Sequence, residues 1–179
     1  MFGNFNFGTV VLILVAIAIY LYLKWLDKNE KSGKTAALYE QYQTLTADTL
    51  SALPDEELVR AVVANLLARN TDLYVESAVL SHGRTAVYSV WLMCNEIETA
   101  DFEKLSATSR RFADMATNGF HLLGAEACAA ALQTLVTAFA DGTLTPELSA
   151  HLRDAVQAEQ PLERCAAYIR ENIEEFCDL

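Results

Sequence analysis

Before Lys24 the chain carries no charged side chain, and from Thr9 to Leu23 it also lacks proline and glycine. That run (Thr-Val-Val-Leu-Ile-Leu-Val-Ala-Ile-Ala-Ile-Tyr-Leu-Tyr-Leu) would make roughly 22 Å of helix at about 1.5 Å per residue. Flanking aromatics bring it near the roughly 30 Å of a bilayer core. A helix apolar on every face needs lipid or a large core, so the expectation is a transmembrane helix over residues 9–26. Residues 1–8 have no base, which argues against a cleaved secretory signal. Tyr20, Tyr22 and Trp25 would sit at the membrane interface with Lys24, Lys28, Lys31 and Lys34. The positive-inside rule then places the N-terminus outside and the rest in the cytoplasm, in a single-pass plasma-membrane topology. Residues 27–36 read as a basic juxtamembrane linker, and 37–179 as one acidic cytoplasmic domain.

Bases are scarce beyond that point. Residues 35–179 hold nine bases against 22 acids, a net charge of −13. Direct nucleic-acid binding is disfavoured, because phosphate contacts need clustered Lys and Arg and only Arg110-Arg111 are adjacent. The four cysteines show neither a Cys-x-x-Cys pair nor zinc-site spacing with histidine. Cys94, Cys128 and Cys165 fall on apolar helical faces and read as buried, reduced thiols. There are only three histidines, widely separated, and no His-Glu-x-x-His, phosphate loop, nucleophile elbow or calcium loop. The expectation is a non-enzyme without metal or cofactor.

What the chain does have is helical periodicity. Pro54 followed by Asp55, Glu56 and Glu57 opens a helix whose stripe is Leu58, Val59, Val62, Val63, Leu66 and Leu67, ending at Asn70. A helix from about Arg84 carries Val87, Trp91, Cys94 and Ile97. The next is capped at Thr99 or Asp101 and broken at Asn118-Gly119. Gly124 precedes an alanine-rich helix that stops at Asp141-Gly142. Thr145-Pro146 starts another, and a last helix aligns Leu162, Cys165, Ile169, Ile173 and Phe176. No stretch alternates as a strand would. The expected fold is all-α: an N-terminal transmembrane helix, then a multi-helix globular domain.

Two groups of residues qualify as partner-binding candidates. Glu171, Glu174, Glu175 and Asp178 crowd a helix C-terminus, where the macrodipole favours cations. The first three share a face and repel by about 0.2–0.5 kcal/mol per pair. A local rule broken in this way can mark a functional site, and a solvated terminal turn accounts for it equally. The second group is Asn95 and Glu96, a polar pair closing an apolar helix, which also suits a cap or a buried hydrogen-bond site.

Tyr88-Ser-Val-Trp91-Leu-Met-Cys-Asn95-Glu96-Ile97, then Phe102, Leu123-Gly124-Ala125 and the alanine-rich helix to Phe139, resembles an acidic, all-helical bacterial domain family named for a DNA-mimic protein. The likeness covers about residues 85–140. Where the family tends to Asn-Gly-Gly, this chain has Glu98-Thr99-Ala100, and Phe102-Glu103-Lys104-Leu105 replaces the family's Gln-aromatic pattern. The resemblance implies a helical fold and a carboxylate surface standing in for phosphates.

The functional expectation is a membrane-anchored acidic interaction module. Its partners would be the lipid bilayer and a protein, either basic or DNA-binding in the DNA-mimic version, with homo-oligomers open. The alternative is a non-catalytic structural subunit of a membrane protein complex.

Overall fold

The computed structural model describes residues 37–69, 73, 80–99 and 107–178. The chain divides into two compact units, Met1–Glu40 and Gln41–Leu179. Of the first, residues 37–40 are described and are helical. The second contains α1 (Ala47–Ala52), α2 (Asp55–Arg69), α3 (His82–Thr99), α4 (Ala107–Leu122), α5 (Glu126–Ala140), α6 (Pro146–Glu159), α7 (Pro161–Glu171) and α8 (Ile173–Phe176). Among the described residues there is no strand, as the periodicity implies.

α3 is the organising helix. It packs on α2, α4, α6, α7 and α8, while α4, α5 and α6 pack in succession and α2 leans on α7. On the α3 turns Val87, Val90, Met93 and Cys94 are buried, and Leu58, Val62 and Leu66 of α2, Leu132 and Leu135 of α5, Leu152 of α6 and Ile169 of α7 complete the core. Ala61, Ala64 and Asn65 of α2 are buried with Leu58, Val59, Val62, Val63 and Leu66, so the sequence stripe widens, while Arg60 and the acids of the first turn stay exposed.

Two glycines end helices: Gly142, as expected, and Gly124, read from the sequence only as preceding the next helix. Ala125 N–H donates to Phe120 and Gly124 N–H to His121, with Gly124 at φ +68°. Thr143 and Gly142 repeat the arrangement on Ala138 and Phe139, with Gly142 at φ +66°. These six-to-one and five-to-two bonds form the Schellman stop, whose left-handed residue favours glycine.

Gly119 departs from expectation. α4 runs straight through it to Leu122. A Cβ there would lie 2.9 Å from Val90 Cγ2 and 3.1 Å from the Ala86 carbonyl oxygen. The glycine is a close-approach position between α3 and α4, not a helix breaker. The expected last helix also divides, turning at Asn172 between α7 and α8.

The membrane part of the expected architecture is corrected. No helix among the described residues is long and apolar enough to cross a membrane. The longest, the 18-residue α3, carries His82, Arg84 and Glu96, whereas a span needs about 20 predominantly apolar residues. Residues 9–26 lie outside the described residues, as do Tyr20, Tyr22, Lys24, Trp25, Lys28, Lys31 and Lys34. The all-α multi-helix domain stands; no described helix supports the single-pass topology, the plasma-membrane location, the bilayer as partner or the membrane-anchored function.

Candidate functional site

The C-terminal acids divide into two kinds. Glu171 and Glu174 are exposed. Asp178 and Glu175 turn inward, and both find partners far away in sequence. The Asp178 side chain is only 4% exposed and lies 2.8 Å from Arg69 and 3.3 Å from Arg84. Its Oδ2 accepts from the Leu45 N–H at 2.7 Å and from Asn65 Nδ2 at 3.0 Å. The Asp178 N–H in turn donates to the Leu45 carbonyl at 2.8 Å. Arg84 finishes the job at the end of α8. It donates to the carbonyls of Glu175, Phe176 and Cys177 at 3.1, 2.8 and 2.9 Å. These are groups a helix C-terminus otherwise leaves unpaired.

Glu175 is held by the start of α3. Its Oε1 accepts from the Gly83 N–H at 2.7 Å, and a Cβ at Gly83 would sit 2.6 Å from Oε2. Only glycine admits the carboxylate this closely. Tyr168 O–H also donates to Glu175 at 3.3 Å. Burial raises the Tyr168 phenol, and the Glu175 charge and hydrogen bond push it the same way. Asn65 is wholly buried in α2 and reaches Tyr42, Gln43 and Asp178 through Nδ2, while its Oδ1 has no partner.

Asn95 and Glu96 occupy a different region. Asn95 Nδ2 donates back to the Trp91 carbonyl at 3.1 Å, and Glu96 is half-buried. Asn95 lines an open groove of about 640 Å³ between α2, α3 and α7. Val59, Trp91 and Leu162 supply its apolar surface; Asp55, Glu56, Glu163 and Arg60 supply its charged rim. Asp55 is already held by Arg170 at 2.6 Å. Trp91 is half-buried and its ring stacks on Tyr88 at 6.2 Å between centroids, while Tyr88 meets Phe112 edge-on at 5.2 Å. The indole is therefore positioned from within the core before anything reaches the groove.

Cys128, Cys165 and Glu159 serve the fold. Among the described residues, no group of three or more His, Cys, Asp or Glu is arranged to hold a metal ion. Cys128, Cys165 and Cys177 are free thiols. Burial pushes the Cys128 and Cys165 thiols up to about 12, which keeps them protonated and poor nucleophiles. Glu159, at the end of α6, caps α5 from outside. It accepts from the Cys128 N–H at 2.8 Å, where Ala125 offers no side-chain cap. Burial raises the Glu159 carboxyl, but the N–H groups of Cys128 and Ala127 outweigh it and leave the pKa below the ordinary value.

A group depressed in the folded state contributes stability above its unfolded pKa of about 4.3, and loses it as pH falls through the folded value. Glu159→Gln is therefore expected to cost about 0.3–1 kcal/mol near neutral pH, because it removes the negative charge from the N-terminus of α5 while keeping an acceptor oxygen. Urea unfolding of both proteins at pH 7 and in acid should show that gap closing as the wild type protonates.

Neither Arg84, Arg69, Asn65 nor Gly83 is apparent as a site residue in the sequence. The one available signal is Asn65, a polar residue inside an otherwise apolar stripe. The chain matches no family model, no curated protein and no solved structure. The resemblance over residues 85–140 thus rests on its motifs alone.

Proposed function

We propose that this all-α domain is a non-catalytic structural subunit of a larger protein assembly, docking through the groove between α2, α3 and α7. Trp91 carries this reading: a large aromatic, half-buried and braced by Tyr88 and Phe112, lines an open groove. Tryptophan and arginine dominate binding energy at protein interfaces, provided surrounding contacts exclude water. Val59 and Leu162 provide the apolar surround, and Arg60 and Glu163 a rim of both signs. Such a rim orients a partner without depending on one sign of charge. The non-catalytic part draws support from how the inward-facing groups are used. Asp178 and Glu175 are spent on intramolecular bonds, and the Cys128 and Cys165 thiols stay protonated.

Trp91→Ala in the full chain tests the reading. Truncating a central interface tryptophan costs about 2 kcal/mol or more of binding, so the variant should keep its helical circular dichroism yet leave the native assembly on a sizing column. Wild-type assembly should persist from low to about 0.15 M salt, where screening already weakens exposed charge pairs. An assembly retained in full by Trp91→Ala contradicts docking through this groove.

A further inference from the structure

In the last helix, sequence periodicity and structure part at a single residue. Cys165, Ile169, Ile173 and Phe176 recur at helical spacing, so residues 161–176 read as one helix. The chain instead breaks at Asn172 (φ −124°, ψ 36°), and α8 starts anew at Ile173. Beyond that break the segment is fastened mainly to distant elements. Glu175 binds Gly83, Arg84 gathers the carbonyls of residues 175–177, and Asp178 pairs with Leu45, Asn65 and Arg69. Phe176 is completely buried. The segment is thus a ligand, joined to its own receptor by a one-residue hinge.

We propose that residues 173–178 form an exchangeable hook, and that in a two-fold dimer the hook of a second copy fills the receptor made by Leu45, Asn65, Arg69 and Arg84. The receptor and hook of one copy are complementary, so two copies exchanging hooks satisfy the self-complementary contact a closed dimer needs. Short hinges favour such swaps. The change required is at Asn172: helical dihedrals there join α7 and α8 into the single helix the apolar spacing already encodes. That straight helix swings the hook away from its own receptor and toward a neighbour's. Glu171, Glu174 and Glu175 then share one face and repel, which holds the closed monomer in place at low salt. Screening relieves that repulsion, whereas the Asp178–Arg84 bonds are the same in both forms. Salt therefore shifts the balance toward the dimer.

The inference does not depend on the Trp91 groove, and its test is separate. Full-length Asn172→Ala and Asn172→Gly leave every hook contact in place and differ in helix propensity at the hinge. Sedimentation across a range of concentrations should show dimer formation favoured in Asn172→Ala by about fivefold at each of the two hinges, and rising with salt in both. Mixing Asp178→Ala (intact receptor, defective hook) with Arg84→Ala (intact hook, defective receptor) should yield heterodimer beyond what either forms alone. Identical self-association of the two Asn172 variants, or monomer throughout, overturns the proposal whether or not the Asp178 and Arg84 variants fold.

Discussion

Asp178→Ala is expected to destabilise the domain by about 3 kcal/mol. Removing one partner of a buried ion pair costs about 3–5 kcal/mol, because the other charge stays buried without compensation. The low end applies since Arg84 is 13% exposed and Arg69 44% exposed, so Arg69 regains water when the carboxylate goes. The Leu45 N–H also loses its side-chain acceptor, while Asn65 Nδ2 keeps the carbonyls of Tyr42 and Gln43. Asp178→Asn keeps the shape and one acceptor oxygen, so it should lose less. The check is urea unfolding with the slope unchanged and the midpoint shifted. A loss below about 1 kcal/mol, typical of an exposed pair, would mean that the hook lies in solvent.

Phe120→Ala is expected to cost about 3–5 kcal/mol, the range for emptying a core aromatic site. Phe120 is completely buried in the last turn of α4, and its carbonyl accepts the Ala125 N–H of the Schellman stop. The neighbouring Gly119→Ala should also destabilise, by about 1–3 kcal/mol and for the opposite reason. Its new methyl would press on Val90 and on the backbone of Ala86, and overpacking a tight helix contact forces both helices apart. Thermal unfolding of the pair separates the mechanisms, since restoring volume at Val90 (Val90→Ala with Gly119→Ala) should recover part of the second loss but none of the first.

These expectations show which parts of the fold are local. Pro54 with three acids after it, Gly124, Asp141-Gly142 and Thr145-Pro146 mark helix ends through the backbone of their own neighbours, and each mark is met in the structure. Gly119 reads as a breaker by the same local logic, yet its role is set by α3, a helix that begins 37 residues earlier at His82. The C-terminal acids are a sharper case. Repulsion among Glu171, Glu174 and Glu175 is legible at helical spacing. The bond from the Leu45 N–H to Asp178, across 133 residues of sequence, is not. Asn172 breaks the last helix because long-range bonds to Gly83, Arg84 and Leu45 hold α8 in place against the apolar period. The groove is similar. Asn95 stands out by its polarity, but Val59, Trp91 and Leu162 become one surface only once α2, α3 and α7 are packed together.

The same bonds give the account its most direct test. The central claim is that the inward-turned carboxylates of Asp178 and Glu175 close the domain over the start of α3 and the Leu45 segment. Amide hydrogen exchange of the wild-type protein reads this directly at Leu45 and Gly83, whose N–H groups donate to Asp178 and Glu175. Both amides should be protected to the same order as Leu50 in the core of α1, with protection at Leu45 falling sharply in Asp178→Ala while that at Leu132 in α5 changes only with global stability. Exchange of Leu45 and Gly83 in the wild type at the rate of an unstructured chain would contradict the claim.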